Sequence, residues 1–192
     1  MSHLEHKAQA PASVPCSVLT VSDSRTVDTD TSGRAIRQLL KDAGHVITGH
    51  AIVKDEPEQV TSYVRARLAD ANTEVIITTG GTGVTARDGT YDAIDAMLEK
   101  RLDGFGELFR MLSFQEIGAA AMLSRATAGI ASASTASADT ASSSTASASI
   151  ASPSRAARTA IFVLPGSEHA VRLAMSRLIL PELGHLAQQL RK

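Results

Sequence analysis

The sequence predicts an α/β protein built on one open sheet. Three observations support this: apolar runs of strand length alternate with stretches of helical periodicity, a glycine-rich loop follows the third apolar run, and the composition is that of a globular protein. Hydrophobic residues make up 43% of the 192 residues and charged residues 20%, which is typical of a soluble domain. In open α/β sheets, ligands bind beyond the carboxyl ends of the strands.

Composition and the terminal segment limit the classes of function. Residues 1–13 are polar, so we expect a mobile leader followed by a single domain at residues 14–192. A net charge of −1 and an aromatic content of 3% do not favour nucleic-acid binding. No apolar run approaches the ~20 residues of a membrane span, no signal peptide is evident, and a single cysteine, Cys16, excludes an internal disulfide. We therefore expect a cytoplasmic protein without nucleic-acid or membrane partners.

The first half of the chain alternates between strands and helices. Apolar runs predict strands at Cys16 to Val21 and Val75 to Thr79, and a stretch of alternating character predicts a strand at Val46 to Val53. The first helix has its apolar positions at helical spacing, at Ile36, Leu39, Leu40 and Ala43. Thr31 or Ser32 is expected to cap this helix and Gly44 to end it. Pro57 suits the first turn of the second helix.

The second half is predicted to hold further helices and two more strands. A short helix is expected at Thr90 to Leu98, after which Gly104 and Gly106 are expected to break the chain. The helix that follows has an apolar stripe, at Phe105, Leu108, Phe109 and Leu112. The strands are expected at Ala126 to Ile130 and Ala160 to Leu164. Ser167 should cap the next helix, and Pro181 should begin another.

Residues 131–157 are expected to form a low-complexity insertion. Between residues 131 and 154 the sequence is almost entirely Ala, Ser and Thr. Such a segment has no large apolar side chains whose burial could offset the entropy of ordering it. The sequence therefore predicts a flexible loop here.

The glycine-rich loop is the strongest functional signal. Thr79-Gly80-Gly81-Thr82-Gly83 directly follows the third predicted strand. Glycines allow positive φ and close approach of a ligand to the backbone, and successive free N–H groups form a concave anion site. A tight turn without a ligand is the alternative. Six histidines without zinc-type spacing, and the absence of any Gly-Lys pair, argue against a zinc site and a Walker A loop.

Two acidic residues follow predicted strands and extend this signal. Asp55 and Asp88 should lie at the same edge of the sheet, about 10 Å or less apart. Two carboxylates beside a glycine loop predict a Mg²⁺ and phosphate site. A capping role for Asp55 at the second helix is the alternative. Arg87 and Arg125 are the nearest candidate cations, and we expect Arg87 to be a surface salt-bridge partner.

Several sequence blocks resemble a known family. Besides the glycine loop with Arg87-Asp88 and Thr90, six blocks match in order: Leu19 to Asp23, Asp28 to Gly33, Gly104 to Arg110, Glu116 to Gly118, Leu123 to Ala126 and Leu164 to Ser167. Over about residues 16–130 and 160–185 the chain resembles the MoaB/MogA family of molybdenum-cofactor biosynthesis proteins. The third and fourth blocks are more similar to the MoaB branch.

The resemblance implies a three-layer α-β-α domain with a mostly parallel central sheet, assembled as a homotrimer or homohexamer. It implies Mg-ATP-dependent adenylylation of molybdopterin, in which the terminal phosphate of the pterin attacks the α-phosphate of ATP and pyrophosphate leaves. By motif, Asp55 and Asp88 match the two active-site acids that would hold Mg²⁺, and Ser124 matches a serine beside the substrate. The other substrate-binding candidates are Ser22, Thr79, Gly80, Gly81, Thr82, Gly83, Pro165, Gly166 and Ser167. The downstream metal-insertion protein is a further implied partner.

The chain departs from the family pattern after the second acid. Asp88-Gly89-Thr90-Tyr91 stands where the family has Asp-Val-Thr-Pro, which loosens the backbone behind Asp88. The leading hypothesis is an adenylyltransferase. The alternative is a non-catalytic protein of the same pathway that binds molybdopterin or an earlier pterin.

Overall fold

The computed structural model describes residues 10–134 and 158–192. The strands in these ranges are β1 (Pro15–Val21), β2 (Val46–Val53), β3 (Val75–Thr79), β4 (Lys100–Arg101), β5 (Thr127–Ser132) and β6 (Arg158–Leu164). The α-helices are α1 (Thr31–Asp42), α2 (Pro57–Leu68), α3 (Thr90–Asp95), α4 (Asp103–Ile117), α5 (Glu168–Ala174) and α6 (Leu180–Leu190). A 3-10 helix (Gly118–Leu123) follows α4, and a π-helical turn (Met175–Ile179) joins α5 to α6. None of the helices in these ranges is long and apolar enough to cross a membrane.

The strands form one sheet in the order β2-β1-β3-β6-β5-β4. The adjacent strands β2, β1, β3 and β6 are parallel to one another, whereas β5 runs antiparallel to both β6 and β4. The predicted mostly parallel sheet is therefore confirmed, and β5 is the exception. Because β5 is reversed, the residues that precede it arrive at the same edge as the carboxyl ends of β1, β2, β3 and β6. The end of β5 and the start of β6 pair at the opposite edge, through Ser132 and Arg158.

Helices cover both faces of the sheet, which gives the predicted three layers. Successive strand residues point to opposite faces, so Ile77 belongs to one apolar core and Ile76 to the other. The first core includes α1, α4, α5 and α6, with Phe109 fully buried. The second core is formed with α2 and α3, through residues such as Val60 and Ile94.

The structure corrects two expectations about helix ends. Asp30, rather than Thr31 or Ser32, is the N-cap of α1, since its side chain accepts a hydrogen bond from the Gly33 N–H at 2.8 Å. Gly104 lies inside α4, as does Gly106, because an uninterrupted helix begins at Asp103. Gly106 packs closely there: a Cβ would come 2.9 Å from the Ala126 carbonyl oxygen.

Pro181 lies in the first turn of α6, as predicted. The π-helical turn joins this helix to α5 without a break. A proline has no N–H to donate and its ring crowds the preceding turn, and a π-helical turn is one of the ways a helix accommodates such an irregularity. The predicted caps at Gly44 and Ser167 are both present: Gly44 has φ of 82°, and Ser167 accepts from the Ala170 N–H at 3.2 Å.

The predicted leader and insertion lie largely outside the described residues. Residues 1–9 and 135–157 are not described. Ala131 and Ser132, at the start of the predicted insertion, belong to β5 and pair with β6. Of the leader, Pro11 lies against α6, where a Cβ on Gly184 would come 2.8 Å from its carbonyl oxygen.

Candidate functional site

The glycine loop lies between the ends of β1 and β6. Gly80 has φ of 100° and Gly81 has φ of 64°, conformations that other residues rarely adopt. A Cβ on Gly80 would collide with the Val21 carbonyl oxygen. The Gly80 N–H donates to the Leu164 carbonyl oxygen at 3.1 Å, and the Thr79 hydroxyl donates to the Pro165 carbonyl oxygen at 2.9 Å. The backbone of the loop is thus fixed against both neighbouring strands.

Asp55 is buried beside this loop. Only 7% of it is exposed, and its Oδ1 accepts a hydrogen bond from the Thr90 hydroxyl at 3.0 Å. A Cβ on Gly81 would come 2.8 Å from the same oxygen. The N-cap of α2 is Glu56, which makes no side-chain cap hydrogen bond. The capping role considered for Asp55 is therefore wrong, and the carboxylate faces the glycine loop.

Asp88 contacts the other end of the loop. Its Oδ2 accepts from both the backbone N–H of Thr85 at 3.1 Å and the Thr85 hydroxyl at 2.5 Å. A Cβ on Gly83 would come 2.6 Å from the same carboxylate. The Thr85 hydroxyl lowers the pKa of Asp88, with smaller contributions from backbone N–H groups and from the charge of Arg125. Asp88 is therefore ionised at neutral pH.

The two carboxylates border one short loop. Asp55 lies against Gly81 and Asp88 against Gly83, and two residues of chain span at most about 7 Å. The structure thus brings together the two acids that the sequence predicted at one edge. Groups of three or more potential metal ligands do not occur among the described His, Cys, Asp and Glu residues. Any Mg²⁺ here would take the remainder of its ligands from substrate and water, as Mg²⁺ commonly does.

The two candidate arginines differ in their partners. Arg87 donates through two nitrogens to Asp23, and its Nη2 also lies 2.9 Å from Oε1 of Glu56. Its predicted role as a surface ion-pair partner is confirmed. Arg125 instead donates from Nη1 to the Gly83 carbonyl oxygen at 3.1 Å and pairs with Asp92. Arg125 therefore contacts the glycine loop directly.

A cleft of about 490 Å³ adjoins the loop on the side of α4 and α5. Three predicted site residues line it: Ser124, Pro165 and Ser167. The cleft is connected to the loop through Pro165, whose carbonyl oxygen accepts the Thr79 hydroxyl. The remaining predicted residue of this turn, Gly166, accepts a hydrogen bond from the Ser32 hydroxyl at 2.7 Å.

Ser22 has a local role in the structure. Its hydroxyl accepts hydrogen bonds from the backbone N–H groups of Ser24 at 3.3 Å and Arg25 at 3.2 Å. These bonds form a turn directly after β1, at the same edge of the sheet. A second groove, of about 470 Å³, lies between α4 and α6 and is lined by none of the predicted site residues.

Sequence reasoning missed the hydroxyl partners of the acids. Thr85 and Thr90 each hydrogen-bond to one of the two carboxylates. Thr85 is three residues from Asp88, a spacing that permits a local side-chain hydrogen bond and could have identified it. Thr90 is 35 residues from Asp55, so only the folded chain reveals that contact.

Comparison with known proteins gives a consistent result. Residues 17–185 match the family described as "Probable molybdopterin binding domain". Molybdenum cofactor biosynthesis protein B of Bacillus cereus is 44% identical over 193 residues, covering 100% of this chain and 99% of that protein. The protein of the same name from Staphylococcus carnosus is 41% identical, covering 93% and 92%.

Solved structures agree with the sequence relatives. The crystal structure of a molybdenum cofactor biosynthesis protein B superposes with a TM-score of 0.80 at 44% identity, covering 95% of this chain and 99% of that one. The tungsten cofactor synthesizing protein MoaB from Pyrococcus furiosus superposes with a TM-score of 0.75 at 31% identity, covering 95% and 100%. A MogA structure shares the fold at 24% identity with a TM-score of 0.71.

Proposed function

The chain belongs to the MoaB/MogA family, and from that membership we propose that it adenylylates molybdopterin with Mg·ATP. Its sequence and structural relatives named for molybdenum or tungsten cofactor biosynthesis place it in that process. Within the family it is closer to the MoaB branch, since the protein B relatives are 44% identical and the MogA structure 24%. Adenylyl transfer is the specific reaction proposed here.

The pair of carboxylates on the glycine loop is the observation that supports this reaction most. The reaction brings an anionic pterin phosphate onto anionic ATP, so charge must be neutralised and the reacting groups aligned. Asp55 and Asp88 border the same loop and would hold Mg²⁺, which would supply that neutralisation. Their contacts with Thr90 and Thr85 fix the orientation of both carboxylates before the ligand binds.

The two parts of the site suit the two substrates. The backbone N–H groups of Gly81 and Thr82 would bind the phosphate end of molybdopterin, because the positive φ of Gly80 and Gly81 turns that backbone into a tight loop. The Gly80 N–H is already bonded to the Leu164 carbonyl oxygen and holds the loop in place. The cleft of Ser124, Pro165 and Ser167 would take the nucleotide. An oxygen of the pterin phosphate would then attack the α-phosphorus of ATP, and pyrophosphate would leave.

A homotrimer or homohexamer is the proposed assembly, with α4 at the subunit interface. We define the α4 face as the six large apolar side chains on α4 and the 3-10 helix that are 48% to 78% exposed: Leu108, Met111, Phe114, Ile117, Met122 and Leu123. A contiguous apolar surface of this kind typically marks a protein-contact region. A cytoplasmic location and binding to a downstream metal-insertion protein accompany this proposal.

A non-catalytic pterin-binding protein of the same pathway is the second candidate. Both acids already accept hydrogen bonds from threonine hydroxyls. If those bonds persist when ligands are present, the site would bind the pterin through the loop without transferring AMP.

An AMP-transfer assay tests the proposal. Wild-type protein is supplied with molybdopterin and Mg·ATP, and adenylyl-molybdopterin is quantified beside Asp55→Asn and Asp88→Asn. We expect product from the wild type and a loss of at least about 100-fold in either variant. Asp42→Asn is the matched control, because Asp42 lies at the exposed end of α1 and accepts from Gln38. Binding of molybdopterin by the wild type without any transfer would replace the proposal with the second candidate.

A further inference from the structure

Arg125 connects two parts of the chain that are distant in sequence. It lies just before β5, yet its Nη1 donates to the Gly83 carbonyl oxygen across 42 residues. Its Nη2 donates to Oδ1 of Asp92 at the start of α3. The planar guanidinium thus links the approach to β5, the glycine loop and α3, a geometry that the forked donors of arginine permit and the single ammonium of lysine does not.

Tyr91 supports the face of the same guanidinium. The Arg125 Cζ lies 4.4 Å from the centroid of the Tyr91 ring. That distance is within the range of a cation–π interaction, which contributes most when the pair is shielded from water. The Arg125 side chain is only 26% exposed. Tyr91 also stands where the family resemblance has a proline, so this support is a feature of the present chain.

Arg125 forms fewer direct ion pairs than Arg87. Arg87 pairs with the carboxylates of both Asp23 and Glu56 and is 54% exposed. Arg125 pairs with one carboxylate, that of Asp92, which is 68% exposed. Its other contacts in the described part of the chain are a neutral carbonyl and an aromatic ring, so further guanidinium N–H groups can serve an anionic ligand.

Gly83 lies between Arg125 and Asp88 and contacts both of them. Asp88 packs directly on Gly83, where a Cβ would come 2.6 Å from its carboxylate. Fixing the Gly83 carbonyl therefore fixes the loop relative to Asp88. The charge of Arg125 also lowers the pKa of Asp88, which places the guanidinium within electrostatic reach of the carboxylate.

We propose that Tyr91 and Arg125 form a positioning pair: the tyrosine ring holds the guanidinium, which fixes the glycine loop at Gly83 and attracts the phosphate-bearing ligand to it. This inference rests on the proposed function for the identity of that ligand, the phosphate group of molybdopterin. It concerns a cation that guides and orients the anion, separate from the two acids.

Binding of molybdopterin to four variants tests the pair. Tyr91→Leu removes the ring, and we expect the dissociation constant for molybdopterin to rise about tenfold. Tyr91→Phe, which keeps the ring, recovers most of the affinity. Arg125→Gln removes the charge and weakens binding at least as much as Tyr91→Leu, and Arg125→Lys restores little because it lacks the planar group. Wild-type affinity in Tyr91→Leu, or full recovery in Arg125→Lys, overturns the pair.

A second readout is independent of the ligand. Backbone hydrogen exchange in peptides covering residues 80–88 of the ligand-free protein should be faster in Arg125→Gln than in the wild type, because the Gly83 carbonyl loses its side-chain donor. Exchange in peptides covering α6 should stay unchanged, which separates this effect from a general loss of stability. Unchanged exchange at residues 80–88 overturns the inference even if the wild type adenylylates molybdopterin. Failure of the wild type to bind molybdopterin, together with faster exchange at residues 80–88 in Arg125→Gln, overturns the proposed function and supports the positioning pair.

Discussion

The carboxyl edge of the sheet and the α4 face differ in the polarity and the contacts of their side chains. At the edge, polar groups from separate loops bond to one another, as Asp55 does with Thr90 and Thr79 with Pro165. On α4, large apolar side chains such as Phe114 and Met111 are 61% and 51% exposed. The first arrangement fixes a small polar site in advance of binding, and the second suits contact with another protein surface. Binding of the pterin phosphate and assembly are thus assigned to different regions, which substitutions can separate. The cleft proposed for the nucleotide lies between these regions, because Ile117 and Leu123 of the α4 face also line it.

The largest expected effect comes from Gly81→Ala. The residue has φ of 64°, and a Cβ would collide with the Thr90 hydroxyl and come 2.8 Å from Oδ1 of Asp55. We expect AMP transfer to fall by at least about 100-fold, because small displacements of aligned groups have such effects. The subunit assembly should be unchanged. Gly104→Ala is the control, since nothing lies within 4 Å of a Cβ there; equal activity in the two variants would contradict the role given to the loop.

An intermediate effect is expected from Phe114→Asp on the α4 face. A charge at a buried subunit contact costs several kcal/mol, so the dissociation constant between subunits should rise about 30-fold or more. Light scattering after size-exclusion chromatography measures the change. Val46→Asp, at a residue 55% exposed at the start of β2, should leave the mass unaltered. A Phe114→Asp protein with the wild-type mass at all concentrations would show that α4 is not the interface.

The smallest effect is expected from Thr85→Val. The Thr85 hydroxyl is the main cause of the lowered pKa of Asp88, so its removal should raise that pKa. A carboxyl whose pKa is lowered by folding stabilises the folded protein at pH values above its pKa in the unfolded chain, about 3.9. That stabilisation is lost as the pH falls through the pKa of the folded state. Thr85→Val should therefore lose part of this stabilisation at neutral pH and show a smaller loss of stability on acidification, while transfer at pH 7 changes by about twofold or less.

Titration of Asp88 by NMR provides the measurement. Thr61→Val is the control, because the Thr61 hydroxyl donates to the Pro57 and Glu58 carbonyl oxygens in the first turn of α2. If the pKa of Asp88 is the same in Thr85→Val and in the wild type, the hydrogen bond from the Thr85 hydroxyl is not the cause of the lowered pKa.

Much of the fold was predictable because its signals are local. The strand at Val75–Thr79 begins with the apolar run Val75 to Ile77, and the helix at Thr31–Asp42 has its apolar residues at helical spacing. The reversal of β5 was not predicted, since an apolar strand has no direction in its sequence pattern. Gly104 and Gly106 were misinterpreted because glycine has a low helix propensity. At Gly106, close packing on Ala126 overrides that propensity.

The candidate site was predictable to a different extent for its backbone and its side chains. Glycines at Gly80 and Gly81 indicate an unusual backbone, and the structure gives both positive φ. The partner of Asp55 was not predictable, because Thr90 approaches it only when the chain after β3 folds back over the loop. For the same reason the α1 cap at Asp30 was missed: this residue is 1% exposed and also accepts from the Thr20 hydroxyl on β1.

Hydrogen exchange in the presence of molybdopterin tests whether the ligand binds at the glycine loop. Wild-type protein is compared with and without the pterin by mass spectrometry, which reports backbone protection peptide by peptide. We expect increased protection in peptides covering residues 76–90, and unchanged protection in peptides covering α4 at Met111 and Phe114. Protection confined to α4, with residues 76–90 unaffected, would contradict the assignment of ligand binding to the glycine loop.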